Sequence, residues 1–453
     1  MPKKEAGPTV HHLFVMSVDA LFTTDLADVR HLPGFAEILG RGAGAAVYHD
    51  VDCVYPTLTY VCHATMASGC WPEHHGVPHN QRLNPAIHDR DWYWEYASMR
   101  VPTVFDWAKR AGLTTAGVGW PVTAGAPCID HNVPEVWAVD PEVLETPEAT
   151  RTALDGIYER GCSASGYELY RAHRDLLANN HTPELDEFDL ACVEDIIHRH
   201  RPDVFYTHQA QLDHARHLHG VHAPQVQKAL RMHDAWLRRA IAALKAEGLW
   251  DDTIFVVLGD HGHVQIDYQV CPNVLLARAG LIDVAPDGSV ADWRAYVQSA
   301  GVSGQLFLRD QDDLPAARRA LQPLLDEGLV SDVFTREEVR VRFHEEGEFA
   351  LMLEAAPNHC IGAECAGELV VGTDATDYKF AVSTHGHLPF RGEKPCFVVS
   401  GPGVTPGHFA GARLVDEAPT LMDLAGIPYD PNALDGESLV RPTSRAVRLP
   451  QAW

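Results

Sequence analysis

The chain has 453 residues, 46% of them hydrophobic and 22% charged, and a formal net charge of −26. That charge excludes sequence-blind binding to nucleic-acid polymers or anionic membranes, yet it admits a small anionic substrate if bound metal ions reverse the field locally. The opening MPKKEAGPTVHH lacks a signal-peptide pattern, no apolar run approaches the roughly 20 residues of a bilayer span, and the ten cysteines form no CxxC pair, so a cytoplasmic location is expected.

Strand-like and helix-like segments alternate, which predicts an α/β fold with a mostly parallel central sheet and helices on both faces. Leu13–Val18 reads as a buried strand, Pro33–Leu39 as a short helix and Ala46–Tyr55 as a strand. From Thr59 the small residues up to Gly69 suit a tightly packed helix. Val104–Arg110 reads as a helix and Thr114–Val118 as a strand. Residues 140–184 are polar and helical, an excursion from the core. The helix Glu187–His200 leads into the strand Val204–His208, and the amphipathic helix Val226–Glu247 leads into the strand Ile254–Leu258.

Residues 266–375 differ in character. A strand (Gln305–Arg309), a helix (Leu314–Glu327) and a strand (Phe349–Ala355) are separated by acidic loops, which predicts a small inserted α+β cap. The core resumes with the strands Tyr378–Thr384 and Cys396–Ser400 and closes with the helix Ala418–Ala425. The expected division is a core of residues 10–265 and 376–453, with the cap between them.

Acids and histidines fall where the predicted strands end. Asp19 follows LFVMSV, Asp213 and His217 follow VFYTH, Asp260-His261 follows TIFVVLG, and His385 follows KFAVST. Ligands of open α/β sheets bind at the carboxyl ends of strands. An isolated acid there is more often a turn former or helix cap, and an isolated D-x-x-x-H is as often a solvated helix face as a ligand pair. Jointly, three carboxylates, three imidazoles and the Thr59 hydroxyl are enough to hold two adjacent divalent ions with a nucleophile between them. Mixed imidazole and carboxylate donors suit zinc, with manganese as the alternative. The glycines after Asp260-His261 and after His385 predict an unusual backbone conformation beside a ligand.

The ordered set of Asp19, PTLTY around Thr59, PEHHGVPHN ending at Asn80, Asp213-x-x-x-His217, Asp260-His261-Gly262 and His385-Gly386 resembles the alkaline phosphatase superfamily. Within it the set is most similar to the nucleotide pyrophosphatase/phosphodiesterase branch, and VDEAPTLMDLAGIP resembles the closing segment of that family. The resemblance spans about residues 10–265 and 378–440. It implies an alkaline phosphatase-like core, one metal on Asp213, His217 and His385, and a second on Asp19, Asp260 and His261 with Thr59 coordinated to it. It further implies in-line attack by Thr59, a phospho-threonine intermediate that water then hydrolyses, and a hydrogen bond from Asn80 to a non-bridging phosphoryl oxygen. The chain departs from the family pattern at TYVCH in place of T-F-P-N-H, at Arg216 in place of the glycine before His217, and at His208, where relatives often carry an aromatic residue.

A small anionic phosphoester, nucleotide-type diester or pyrophosphate, is the expected substrate, because Arg82, Arg216 and Arg391 stand in no recognisable phosphate clamp. The alternatives are a phosphonoacetate-type phosphonate hydrolase, a phosphomonoesterase, and a metal-binding protein without turnover, although the last needs neither Thr59 nor Asn80. The aromatics of DWYWEY (Trp92–Tyr96) and Trp120 either form a stacking wall or, more commonly for such clusters, pack under a loop. His63, His74, His75 and His79 have no metal role in the family pattern, and His75-Gly76 reads as structural. His11, His12, His219, His222, His263 and His387 are expected at the surface or in supporting positions. Oligomeric state is left open.

Overall fold

The computed structural model describes residues 10–85, 91–137, 146–177, 182–374, 379–440 and 446–449. Its centre is a nine-stranded sheet. Six of its strands are β1 (His12–Val18), β2 (Ala46–Tyr48), β3 (Thr115–Val118), β4 (His131–Val133), β5 (Val204–Gln209) and β6 (Thr253–Leu258). The remaining three are Phe397–Ser400, Gly407–Ala410 and Val447–Arg448. The spatial order runs Val447–Arg448, Gly407–Ala410, β2, Phe397–Ser400, β6, β1, β5, β3, β4. β1 lies parallel to both β5 and β6, and β3 is parallel to both its neighbours. Phe397–Ser400 runs antiparallel to β6 and β2. The sheet is therefore mostly parallel.

A parallel strand covered on both faces has no solvent side, so it reads as an unbroken apolar run; β1 is the example. Phe14, Met16 and Val18 join the helices Glu184–His200 and Pro224–Ala246 in one core cluster. The alternate residues Leu13 and Val15 join the helices Thr59–Ser68, Val104–Arg110 and Glu417–Ala425 in another. The polar excursion consists of the helices Pro147–Gly161 and Ala164–His173 with a short 3-10 turn. Residues 138–145 and 178–181 of that stretch lie outside the described residues.

A second, four-stranded antiparallel sheet has the order Ala295–Ala300, Ser303–Leu308, Leu351–Ala355, Val330–Thr335. With the helix Leu314–Asp326 it buries its own apolar cluster. Ala295–Ala300 was not expected as a strand because it carries Gln298 and Ser299, yet every residue in it is buried. Their donors are satisfied internally: Gln298 donates to Gln81 O at 3.0 Å and Ser299 to Ile361 O at 2.5 Å.

Two expected strands are shorter than their composition suggested. Of Ala46–Tyr55 only Ala46–Tyr48 is strand. Asp50 then turns into the left-handed region (φ 52°), and the loop is held by Val51 N–H to Pro395 O and Asp52 N–H to Ala412 O. Of Tyr378–Thr384, Tyr378 lies outside the described residues and only Ser383–Thr384 forms a strand. It pairs antiparallel with Val264–Gln265 of the separate strand Val264–Val270, so it does not belong to the central sheet.

The second sheet is bonded into the loop that follows Thr384. Val302 N–H donates to His385 O (2.9 Å) and Ser303 Oγ to Gly386 O (2.6 Å). Gly386 sits at φ 83°, and a Cβ there would lie 1.6 Å from Ala300 O; only glycine fits. Nearby, buried Glu354 accepts from Tyr55 Oη (3.0 Å) and Leu388 N–H (3.1 Å) and pairs with Arg391. Burial pushes the Glu354 carboxyl from its ordinary 4.5 up to about 7, although Arg391 opposes the rise. A carboxyl raised on folding favours the native state below its unfolded value and loses that advantage as pH climbs to its folded one. Glu354→Gln, which does not titrate, should therefore destabilise the protein more at about pH 5 than at about pH 8, by on the order of 2–3 kcal/mol. Equal losses of thermal stability at both pH values would contradict this.

Candidate active site

Five local structures deliver the candidate ligand side chains. Asp19 follows β1, and Asp260-His261 follows its parallel neighbour β6. The short helix Gln211–His219 follows β5, and its pitch places Asp213 and His217 on one face. Thr59 is the first residue of the helix Thr59–Ser68, whose small side chains let it pack fully buried and whose C-terminus is closed by Gly69 at φ 69°. The loop carrying His385 closes the group.

Asp19, Asp260, His261 and Thr59 converge on one point. His261 Nε2 lies 3.3 Å from Asp19 Oδ1, 3.3 Å from Asp260 Oδ2 and 3.2 Å from Thr59 Oγ1. The edge of a tetrahedron built on zinc–ligand bonds is about 3.3 Å. In each carboxylate the other oxygen is engaged: Asp260 Oδ1 accepts from Ala20 N–H (2.9 Å) and Asp19 Oδ2 from His208 Nε2 (3.1 Å). The converging oxygens, Asp19 Oδ1 and Asp260 Oδ2, are buried and accept no hydrogen bond among the described residues. Buried orphan acceptors are costly, and a divalent cation at that point would satisfy both.

A second convergence lies beside the first, with the rings of His261 and His385 stacked at 4.0 Å between centroids. Asp213, His217, His263 and His385 offer donor atoms all within 4.8 Å of one another. His217 Nδ1–H donates to Ser383 O (2.9 Å) and His385 Nδ1–H to Thr57 O (3.0 Å). Those carbonyls fix the tautomer and leave both Nε2 lone pairs facing Asp213, at 3.3 and 3.8 Å. His263 Nε2 is 2.6 Å from Asp213 Oδ1. That is too short for two corners of one tetrahedron and right for a hydrogen bond, so we assign His263 to holding Asp213.

The charges agree with this geometry. Burial and the repulsion of Asp260 and Asp213 raise the Asp19 carboxyl well above its usual range. Burial opposes the charge of Asp213 as well, but His217 and His263 hold it well below the usual range. Burial lowers His385 well below its ordinary value and His263 to about 3, so both imidazoles are neutral, the form that binds metal. His208 is the exception. Burial disfavours its charge, but Glu135 and Asp19 outweigh that and raise it well above 6.5.

Asn80 is oriented by an obligatory donor. Tyr60 N–H, which can only donate, points at Asn80 Oδ1 (2.9 Å), so the Asn80 amide NH2 is directed away from that bond. His63 Nδ1–H donates to Thr59 O (2.8 Å) and Ser17 Oγ donates to His63 Nε2 (2.9 Å), bracing the first helical turn. His75 is buried, bonded to Thr65 and Val77, and lowered to about 3. His79 donates to Ser299 O in the second sheet. Trp120 is buried against His63 and Tyr206 and offers no face to a ligand. Trp92 covers the buried Tyr60 ring at 5.3 Å. Gly262 avoids a positive φ; it is required because a Cβ there would lie 1.8 Å from Glu393 O.

The three candidate cations are committed elsewhere. Buried Arg216 pairs with Asp25 and lies 3.7 Å over the Phe22 ring. Arg82 bonds Glu95 and Ser98, and Arg391 bonds Glu354. Sequence reading left out Glu135, which nothing in its neighbourhood marks, and gave His263 and His208 no specific task. The alternation His261-Gly262-His263 in extended chain puts two rings on one side, which is the available signal for the first.

A family model described as type I phosphodiesterase / nucleotide pyrophosphatase matches residues 13–395. Comparison with curated proteins gives no match. Among solved structures, murine ectonucleotide pyrophosphatase/phosphodiesterase 5 superposes with a TM-score of 0.63 at 16% identity, covering 94% of this chain and 97% of that one. An inactive form of the murine protein in complex with AMP, and the human counterpart, each give 0.64 at 16% identity with the same coverage.

If the two convergences are cation sites, stripping the protein with a chelator and titrating zinc back should raise its Tm. The rise should saturate at two ions per chain, and at a hundredfold excess over Kd linkage gives about 2.7 kcal/mol per site. A Tm indifferent to zinc would count against both sites.

Proposed function

Because the chain belongs to the type I phosphodiesterase / nucleotide pyrophosphatase family, we propose that it hydrolyses small phosphodiesters or pyrophosphates, nucleotides among them, with Thr59 as nucleophile. The observation that carries this reading is the position of Thr59 Oγ1, 3.2 Å from the imidazole nitrogen on which two orphan carboxylate oxygens also converge. A metal-storage site has no use for a hydroxyl at the start of a helix.

In this reading Asp19, Asp260, His261 and Thr59 hold one divalent ion, and Asp213, His217 and His385 the other, zinc with manganese as the alternative. When bound, the pair supplies Lewis acidity: it makes a threonine hydroxyl a competent nucleophile and offsets charge on the phosphoryl oxygens. The Thr59 Oγ–H bond breaks as the Oγ–P bond forms, and the leaving alcohol or phosphate departs with its bonding pair and takes up the released proton through solvent. Water then cleaves the Oγ–P bond and restores the hydroxyl. Asn80 presents its NH2 to a non-bridging oxygen, a donor that strengthens as negative charge grows there. The N-terminal end of the helix Thr59–Ser68 contributes a favourable dipole for the same charge.

The commitment of Arg82, Arg216 and Arg391 to other partners favours a singly charged phosphoryl group, as in a diester, over a monoester dianion. The AMP bound to the murine protein supports a nucleotide as one half of the substrate. Ten cysteines outside any disulfide among the described residues, nine of them buried, fit a reducing, cytoplasmic setting.

Thr59→Ala should retain both ions and lose roughly a thousandfold or more in kcat. On bis-p-nitrophenyl phosphate and p-nitrophenyl phosphate, kcat/KM should favour the diester. Undiminished turnover in the variant would remove the nucleophile, and a strong monoester preference would remove the diester reading.

A further inference from the structure

His208 lies at the end of β5 and is 3% exposed, with both ring nitrogens facing carboxylates. Nδ1 is 2.5 Å from Glu135 Oε2, and Nε2 is 3.1 Å from Asp19 Oδ2. Glu135 reaches it from the segment just past β4, two strands away in the sheet. Ionised carboxylates only accept, and Asp19 is ionised when it ligates a metal, so in that state the ring donates from Nε2 to Asp19 and, facing an ionised Glu135, from Nδ1 as well. The consequence falls on Asp19. One of its oxygens is tied to His208, while Oδ1, without a hydrogen-bond partner among the described residues, is the atom left facing Asp260 and His261.

We infer that the Glu135–His208 pair is a positioning device for the metal site built on Asp19, Asp260 and His261: it fixes the rotamer of Asp19 and selects Oδ1 as the ligating atom. The inference rests on the two-metal reading above. Asp213, whose charge is held by His263, has a different support, so the two sites are braced independently. An unbraced Asp19 would turn freely between two equivalent oxygens while repelled by Asp260, and the ion held there would be bound more weakly. The site built on Asp213, His217 and His385 takes its supports from His263, Ser383 and Thr57 instead.

The test is competition between metal-stripped protein and a chromophoric zinc chelator, which resolves the affinities of the two sites without any assay of activity. In His208→Phe the affinity of one site should fall about 10- to 100-fold while the other stays within about twofold of wild type. His208→Gln, which still donates to Asp19 Oδ2, should recover part of the loss. Where the phenylalanine variant does not fold, Glu135→Gln serves, since its amide oxygen still accepts from Nδ1 but without the charge, and one site alone should weaken. Unchanged affinities, or a parallel fall of both, would overturn the positioning role alone. A wild-type protein that took up fewer than two ions would overturn the two-metal reading and this role with it.

Discussion

Like charges in a dry place set the terms for the whole structure. Asp19, Asp213 and Asp260 are all buried, close enough that the charge of each of the other two raises Asp19. Such a group is stable only if something positive stands among the carboxylates, whether a bound dication or a protonated side chain. His208, whose charged form Glu135 and Asp19 favour, stands among them, and imidazoles and free oxygens are arranged around the remaining charge. Much of the surrounding chain holds these few atoms in register.

The holding is done mainly by main-chain groups and braces of opposite polarity. Ala20 N–H fixes Asp260, the carbonyls of Ser383 and Thr57 fix two histidines, and Tyr60 N–H fixes Asn80. Backbone groups on strands and helix starts move little, so the ligand atoms inherit the stiffness of the sheet. Arg216 shows the same economy. The family pattern places a glycine before His217, and here the larger residue is accommodated by burial against Phe22 and pairing with Asp25.

The central sheet was legible because its strands are covered on both faces and so read as unbroken apolar runs; β1 and β6 are the plainest. The convergence of the candidate ligands was legible because each sits one turn or one loop beyond an element recognisable by itself, and the resemblance supplied their expected pairing. Ala295–Ala300 was hidden by Gln298 and Ser299, polar residues whose partners, Gln81 and Ile361, come from distant sequence. Glu135 was hidden for the same reason, its partner lying 73 positions away. The strand before His385 was misplaced because Ser383–Thr384 pairs with a segment that has already left the central sheet, a matter of topology that local composition does not encode.

The interlock at Gly386 bears on how such an enzyme can be altered. The turn of the second sheet at Gly301 and Val302 meets the main chain of His385 and Gly386, carbonyl against α-carbon, with no room for a methyl group between them. That sheet is therefore less a door over the pocket than a mould against which the histidine loop is cast. Trimming it to obtain a smaller catalyst would leave His385 without the surface that shapes it.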